Sequence, residues 1–417
     1  NYGYGKLNKL LNQEADGLIG MVASIPLFGI FPLFSSWVLA LTETFAIFAF
    51  IYGYTNFSLS NFISRFTGLL CLIISIIIIS IIFSLYANSD IRFKILQEIG
   101  IKNKPTIIDD SYSLTLVSGG IPSPYYISVI GNDIFFNERF TGNLYVITDG
   151  NFNKEPILNV STDNSATKIH GIASYESSIF LHLTEANYED DIYENNRVLE
   201  YNWDGTNLKL VQEIEPKILF TDTHHSGGII VDDKKNIFST YPIPIDSPLL
   251  NYHAYGVHGF TFDIQTNQIW HTTEVDKNQS WIDIVSETNY FPDEFEKIHV
   301  VSIEKMENHT FWEVPYYPNS LFIPPTNLLE KFDNSLFVGY CKGEKIKGGI
   351  FEYPLNSERT AFLSPDNNLS FREINHENYL IAENFYCVSD IESDSIGVMY
   401  ISDYTKSGAI YKIEPKS

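Results

Sequence analysis

The sequence predicts an all-β fold, a six-bladed β-propeller, preceded by an α-helical transmembrane anchor of two spans, or three. Three observations lead to this prediction: few charges in the first 88 residues, one uncharged run there that can cross a bilayer, and a strand pattern that recurs six times afterwards. The expected boundaries are residues 1–88 for the anchor, 89–114 for a linker and 115–417 for the propeller.

The anchor is predicted from the distribution of charge. Residues 1–88 carry three basic and three acidic side chains, whereas the chain of 417 residues has a formal net charge of −24. Residues 66–86 contain no charged side chain, and a helix of that length spans about 30 Å of hydrocarbon. Residues 17–54 are also mostly apolar, and we expect one span after an interfacial piece, or two short spans. Glu43 within them marks either a functional carboxylate or the membrane interface.

Charge and composition exclude several classes of protein. The 51 acidic side chains greatly outnumber the 27 basic ones, so the surface repels a phosphate backbone and nucleic-acid binding is excluded. An aromatic content of 15% supplies far more buriable area than disordered chains have. Three cysteines are too few for a disulfide scaffold.

A strand–turn–strand pattern recurs after the linker. Short runs of β-branched and aromatic residues alternate with Asn, Asp and Gly turns, which is typical of antiparallel sheet. Six copies of about blade length favour a closed propeller, and a β-sandwich or a solenoid is the alternative. The copies begin at Tyr125, His170, His224, Tyr255, Asn319 and Tyr386.

Histidines stand at or near the beginnings of several copies. Since the loops at one end of propeller blades converge on the central channel, these histidines predict a polar funnel there, although each could simply bind a loop carbonyl. None of their spacings is typical of a zinc site. Cys341 and Cys387, in the last two copies, either form a disulfide or are two buried thiols, and Cys71 lies in the anchor. The histidines are His170, His224, His225, His253 and His258.

The propeller region resembles the glucose/sorbosone (aldose sugar) dehydrogenases, which use pyrroloquinoline quinone (PQQ) and fold as six-bladed propellers. The resemblance extends from about Leu116 to Pro415 and marks the chain as a divergent, membrane-anchored member. The matching stretches, in the family's order, are IPSPYYISVIGNDIFFNERFTGNLYVITDG, LTEA with NRVLEYNWDGTNL, HHSGGIIVDDKKNIF, YHAYGVHGFTFDIQTNQIWHTTE and VSDIESDSIGVMYISDYTKSGAIYKI.

The resemblance also implies a set of site residues. His225 falls on the family's general base, a role that a neutral imidazole can fill. The adjacent His224, together with His258 and His170, falls at cofactor positions, and Glu274 and Asp276 fall at the calcium position.

Most of the family's cofactor motifs are altered in this chain. His258 and Gly259 replace an arginine and an asparagine that bind the quinone, and an imidazole cannot reproduce a guanidinium fork. Val275 and Trp281 occupy small or polar positions of the calcium motifs, whereas calcium needs six to eight oxygen ligands.

Two functions are consistent with this pattern. The favoured one is a non-catalytic binding or accessory subunit of a membrane complex, with membrane lipid and other membrane-protein subunits as its partners. The alternative is a quinoprotein oxidoreductase that acts on sugars or other alcohols, with His225 as general base and with PQQ and calcium as cofactors. The resemblance places the propeller outside the cytoplasm, whereas the basic flank after residue 88 favours the opposite orientation.

Overall fold

The computed structural model describes residues 62–87 and 89–100 and the greater part of the β-sheet region that follows. It divides the chain into two compact units, Asn1–Leu96 and Gln97–Ser417. The described residues are 62–87, 89–139, 141–161, 166–187, 192–214, 217–222, 228–232, 234–242, 259–263, 265–266, 268–276, 279–286, 311–314, 318–325, 328, 332, 334–342, 348–359, 363 and 376–416.

Two helices come first in the described chain, α1 (Phe62–Ala87) and α2 (Ser89–Glu98). Near the start of α2, Asp90 pairs with Lys94 one turn later at 3.2 Å. Among the described residues, no helix qualifies by length and apolar character as a membrane span. The span predicted for residues 66–86 falls within α1 and is therefore not shown. Residues 17–54 lie outside the described residues, so the number of spans stays a prediction.

The rest of the described structure is mostly β-sheet. The strands, in chain order, are β1 (Thr106–Ile107), β2 (Tyr112–Pro122), β3 (Pro124–Ile130), β4 (Asp133–Glu138), β5 (Asn143–Thr148), β6 (Asn151–Phe152), β7 (Leu158–Asn159), β8 (Ala166–Tyr175), β9 (Ser178–Asn187), β10 (Ile192–Trp203), β11 (Leu208–Ile214), β12 (Lys217–Asp222), β13 (Ile229–Val231), β14 (Ile237–Pro242), β15 (Phe260–Asp263), β16 (Gln268–Asp276), β17 (Gln279–Ser286), β18 (Phe311–Val314), β19 (Pro318–Phe322), β20 (Ser335–Tyr340), β21 (Gly348–Pro354), β22 (Leu380–Phe385), β23 (Val388–Ser393), β24 (Met399–Asp403) and β25 (Ser407–Pro415). A short 3-10 helix, His376–Tyr379, precedes β22.

These strands form six sheets that follow one another along the chain, and each predicted copy lies in its own sheet. We number them blades 1 to 6: β3–β7, β8–β11, β12–β14, β15–β18, β19–β22 with β1, and β23–β25 with β2. All described pairings are antiparallel except that of β12 with β14. The predicted linker contains β1, and β2 runs from the end of that linker into the predicted propeller. β1 is the outer strand of blade 5, and β2 is the outer strand of blade 6.

The six sheets are arranged as a β-propeller. The first strand of each copy lies at one edge of its sheet, and each of these inner strands contacts the inner strand of the next blade. The contacts return from blade 6 to blade 1, so the ring is closed. The inner strands are β3, β8, β13, β15, β19 and β23.

The ring closes because blade 6 combines both ends of the propeller region. Its outer strand β2 comes from the N-terminal side and pairs antiparallel with β25, from Tyr112 opposite Pro415 to Pro122 opposite Ser407. The other strands of blade 6 come from the end of the chain. Backbone hydrogen bonds between β2 and β25 therefore hold the two ends together.

The core lies between the blades. The middle strand β20 is covered on both faces, and all six of its residues are buried. The outer strand β11, in contrast, is largely exposed. Four apolar clusters fill the junctions between blades 1 and 2, 2 and 3, 4 and 5, and 6 and 1.

Aspartates shape the turns that follow several inner strands. Asp232 Oδ1 accepts the backbone N–H groups of Lys234 at 3.0 Å and Asn236 at 2.6 Å. Asp394 Oδ1 accepts those of Ile396 and Val398 at 3.0 and 2.9 Å. A carboxylate at this position satisfies the backbone donors of a tight turn, which explains the recurrence of Asp in the turns of the predicted copies.

One ion pair between blades 4 and 5 is fully buried. Arg359 Nη1 lies 2.7 Å from Asp263 Oδ1, and both side chains have no exposed surface. The same guanidinium donates to Asn334 Oδ1 at 2.6 Å and to the carbonyl of Pro324 at 3.0 Å. Since these hydrogen bonds satisfy the buried charges, we expect the pair to fix the junction of the two blades.

Replacement of Arg359 should therefore destabilise the propeller strongly. Arg359→Met leaves the Asp263 carboxylate buried without its cation, and we expect a loss of about 3–5 kcal/mol in the free energy of unfolding. Lys412→Met is the matched control, because the ion pair of Lys412 with Glu414 is partly exposed and such pairs contribute at most about 1 kcal/mol. Urea denaturation, monitored by tryptophan fluorescence, measures both losses. Equal losses would contradict a stabilising role of the buried pair of Arg359 with Asp263.

Candidate functional site

The predicted funnel lies at the end of the propeller where the inner strands begin. We call it the upper end and define it by the first residues of the inner strands. Because the second strand of each blade runs antiparallel to the first, second strands finish at the same end. His224, His225, His253 and His258 lie outside the described residues, so the predicted general base and these funnel histidines stay predictions.

His170 lies within blade 2, where the pairing of β8 with β9 shifts register between Ile169 and Gly171. It is thus the extra residue of a bulge, a feature that redirects a side chain. Its ring centroid lies 6.4 Å from that of His182, which is 1% exposed. The structure therefore brings His170 close to a second, buried histidine of the same blade.

Glu274 and Asp276 lie on blade 4, at the end of β16. They are opposite Ser280 and Gln279 of β17, and the register shifts between them. Blade 4 is not a neighbour of blade 2, so the structure does not place these two residues in the sheet of His170. Within the described part of the chain, no group of three or more His, Cys, Asp or Glu side chains could hold a metal ion. The predicted calcium site at Glu274 and Asp276 therefore stays a prediction.

A different group of side chains comes together at the upper end, at the junction of blades 6 and 1. The guanidinium carbon of Arg139, just after β4, lies 4.4 Å from the ring centroid of Tyr125 and 4.7 Å from that of Tyr404. The two rings meet edge to face, with centroids 5.3 Å apart. We call these three residues the tyrosine–arginine cluster. Its geometry is that of a cation–π interaction with two rings.

Blade 5 and blade 6 hold the cluster in place. The Ser389 hydroxyl donates to the carbonyl of Tyr125 at 2.9 Å, and the backbone N–H of Tyr404 donates to the carbonyl of Cys387 at 2.8 Å. Burial raises the pKa of Tyr125, although Arg139 and a hydrogen bond with Asn319 of blade 5 favour its charged form. The Tyr125 hydroxyl is therefore neutral at physiological pH.

The structure pairs Cys341 with Cys387 as a disulfide, one of the two predicted alternatives. Cys341 follows β20 of blade 5 and Cys387 precedes β23 of blade 6, so the bond links two blades at the upper end. The amide of Asn319 donates to Cys387 Sγ at 3.4 Å. The third cysteine, Cys71, is a free thiol in α1.

Blade 6 also carries three carboxyl groups with altered pKa values. Burial raises the pKa of Asp390 to about 7, opposed by the backbone N–H groups of Ile127 and Ile391 that Asp390 accepts. Burial, and then the charge of Asp390, raises the pKa of Glu392 well above its usual range. Two carboxyls that share such a site do not both ionise fully near neutral pH.

Asp403, the last residue of β24, is the third of these carboxyls. Burial raises its pKa to about 7, while the N–H groups of Cys387 and Tyr386 and the charge of Lys102 favour its ionised form. Its Oδ1 accepts the two N–H groups at 2.9 and 2.8 Å. Asp403 therefore orders the segment that enters β23 and contains Cys387.

The sequence patterns that predict site residues, the histidines and the metal-ligand motifs, do not include the cluster. A usable signal was present: Tyr125 begins the first copy, and Arg139 ends the second strand of that copy. Both positions belong to the end of the propeller that was expected to be functional.

Comparisons with known proteins give a similarity of structure only. No protein-family model and no curated protein matches the chain. Solved structures similar to it include a glucose dehydrogenase-type oxidoreductase from Thermus thermophilus, with 13% identity, a TM-score of 0.44 and coverage of 72% of this chain and 99% of that one. The soluble aldose sugar dehydrogenase from Escherichia coli has 12% identity and a TM-score of 0.45, with 73% and 100% coverage.

A protein of Carbohydrate-Active Enzymes family AA12 from Trichoderma reesei is similar to the same extent. Its identity is 11% and its TM-score 0.47, with coverage of 75% of this chain and 98% of that one. At such identities and TM-scores, none of these similarities establishes an activity or a cofactor for this chain.

The raised pKa of Asp403 predicts how stability depends on pH. The folded pKa of about 7 lies above the unfolded value of about 3.9, so the folded state binds the proton more tightly. The contribution of Asp403 is thus fully present below about pH 4 and is lost as the pH rises through about 7. Asp403→Asn keeps an oxygen for the two N–H groups and removes this titration, so the free energy of unfolding should decline less between about pH 5 and pH 8.

Asp204 provides the contrasting variant. The backbone N–H of Asn207, followed by the Thr206 hydroxyl, lowers the pKa of Asp204, so its contribution is lost as the pH falls. Asp204→Asn should therefore leave the profile unchanged between about pH 5 and pH 8 and lessen the loss of stability below about pH 4. Urea denaturation at several pH values measures both variants. Identical pH profiles for wild type and Asp403→Asn would contradict the prediction.

Proposed function

We propose that this protein is a membrane-associated β-propeller that binds a partner at the upper end of blades 5, 6 and 1, as a non-catalytic accessory subunit of a membrane complex. The tyrosine–arginine cluster is the observation that carries the proposal. Arginine and tyrosine are enriched in the residues that dominate binding free energy at protein interfaces. Propellers serve as rigid platforms on which such residues are held.

The side chains of the cluster hold one another in place before a partner binds, as a binding site requires. Tyr125 is buried and both rings contact the guanidinium, so Arg139 loses little additional side-chain freedom when a partner binds. Arg139 and Tyr404 are only partly buried, and Tyr386 at the same end of blade 6 is 52% exposed. A flat cation beside tyrosine rings is suited to a partner segment that carries a carboxylate.

The alternative function, a quinoprotein dehydrogenase with His225 as base, is supported by the sequence resemblance alone. The altered cofactor motifs speak against it, because His258 and Gly259 stand where the family has an arginine and an asparagine. We therefore assign no redox step to this chain.

Membrane association is part of the proposal. Residues 66–86 lack charged side chains, and residues 17–54 are mostly apolar. In α1, large apolar side chains face outward, and a lipid phase is the medium that accepts such a surface without cost. They are Phe66, Leu69, Leu70, Ile73, Ile74, Ile76, Ile77 and Ile79.

The disulfide supports an extracytoplasmic propeller. Disulfides persist in oxidising compartments and are rare in the reducing cytosol. The bond between Cys341 and Cys387 thus favours exposure of the propeller to the exterior, whereas the basic flank after residue 88 favours the reverse.

Capture from native membranes tests the binding function. The full chain, solubilised in mild detergent, should co-purify a stoichiometric membrane subunit that mass spectrometry identifies. Arg139→Gln should reduce the affinity for the purified subunit by at least about tenfold, as expected for a binding hot spot. Arg139→Lys should also bind weakly, because an ammonium lacks the flat surface and the fork of donors.

Lys234→Gln is the matched control for the loss of one positive charge. Lys234 is exposed in the turn after β13, at the opposite end of the blades, so its variant should bind like the wild type. Equal binding by Arg139→Gln and Lys234→Gln would exclude the cluster as the binding site. Failure of the wild type to retain any stoichiometric subunit would contradict the accessory role.

The anchor is tested by fractionation. The full chain should remain with membranes after washing at about pH 11, whereas a chain that begins at Gln97 should be released, because that variant lacks the apolar residues 17–86. Folding of the shorter chain is checked by its circular dichroism. Release of the full chain by the same wash would contradict membrane insertion.

A further inference from the structure

The disulfide lies at the entrance to the inner strand that supports the binding cluster. Cys387 is 5% exposed, and it immediately precedes β23 of blade 6. Cys341 faces it across an isolated antiparallel bridge, directly after β20 of blade 5. The bond therefore joins blades 5 and 6 where both strands reach the upper end.

Short contacts connect the disulfide to the tyrosine–arginine cluster. The carbonyl of Cys387 accepts the backbone N–H of Tyr404 at 2.8 Å, and Tyr404 provides one ring of the cluster. On the other side, Asn319 donates to Cys387 Sγ at 3.4 Å and also forms a hydrogen bond with Tyr125, which provides the second ring. Tyr404 thus contacts Cys387 directly, and Tyr125 is connected to Cys387 through Asn319.

The backbone of Tyr386 and Cys387, just before β23, is held by hydrogen bonds close to the disulfide. The carbonyl of Tyr386 accepts the N–H of Lys342, next to Cys341, at 2.8 Å. Asp403 accepts the N–H groups of Tyr386 and Cys387. These hydrogen bonds hold the backbone of Tyr386 and Cys387, and the disulfide adds a covalent link between the two sides of the same segment.

We infer that the Cys341–Cys387 disulfide is a redox-controlled clasp: the oxidised bond orders the tyrosine–arginine cluster, and its reduction loosens the cluster and the entrance to β23. This inference rests on the proposed function only for what the clasp regulates, namely partner binding at that cluster. The structural effect of the clasp on Tyr404 and Tyr125 does not depend on the identity of the partner.

The switching step is an ordinary exchange with a dithiol. One thiolate of the dithiol attacks a sulfur of the pair, the S–S bond breaks, and the released cysteine sulfur takes up a proton. The second thiol of the reductant then resolves the mixed disulfide and releases the other cysteine as a thiol. The dithiol is oxidised to a disulfide, while Cys341 and Cys387 together gain two electrons and two protons.

Hydrogen exchange of the full chain tests the inference without any partner. The experiment uses a Cys71→Ser background, so that Cys341 and Cys387 are the only cysteines, with dithiothreitol as the reductant. Alkylation with iodoacetamide should modify neither cysteine before reduction and both after it. Reduction should raise exchange of the Lys342, Tyr386, Cys387 and Tyr404 amides at least about tenfold.

Two controls make the result specific. Amides of residues 198–203, in β10 of blade 2, should exchange at the same rate before and after reduction. The variant with both Cys341→Ser and Cys387→Ser should match the reduced protein and should not respond to dithiothreitol. If that variant fails to fold, the comparison of oxidised with reduced protein still decides the question.

The outcomes separate this inference from the proposed function. Alkylation of both cysteines before reduction, or unchanged exchange after it, would overturn the clasp whatever Arg139 does. Faster exchange combined with normal partner capture by Arg139→Gln would leave the clasp in place and refute the proposed binding site. Faster exchange together with weaker partner capture by the reduced protein is the result that the inference predicts.

Discussion

Closure of the ring is the constraint on which the rest of the propeller depends. Every inner strand packs between the inner strands of two neighbouring blades, so each apolar blade face is covered only if the cycle is complete. Completion depends on β2, which pairs with β25 along the outer side of blade 6 and so joins the two ends of the propeller region. Without this pairing, blade 6 would lose a strand and β25 would present an open edge.

The candidate site lies beside that closure. The Ser389 hydroxyl and the Asp390 carboxylate of blade 6 bind the backbone of Tyr125 and Ile127 in blade 1, so polar contacts of the inner strands cross from the last blade to the first. Arg139 contacts a ring from each of these blades. A binding surface built here is supported by inner strands of the sheet, and the disulfide adds a covalent link to blade 5.

Much of this architecture could be predicted from the sequence, and the reasons are local. The central residues of β4 and β20, at 134–136 and 336–338, are apolar and buried because blades cover both of their faces, and aspartates recur in the turns of several copies. The role of β2 was not predictable, because its partner β25 is at the far end of the chain and nothing local specifies the pairing. The cluster was not predictable for the same reason, since the contact of Ser389 with Tyr125 joins residues 264 positions apart. The bulge at His170 was hidden for a related reason: a register shift depends on the neighbouring strand.

We propose that the propeller binds a partner in place of quinone chemistry. Isothermal titration of the purified full chain with pyrroloquinoline quinone and calcium, followed by a dye-reduction assay with an aldose, tests this claim most directly. We expect no saturable heat of binding and no reduction of the dye. Tight binding of the quinone, with dye reduction that Arg139→Gln retains and His225→Ala abolishes, would contradict it.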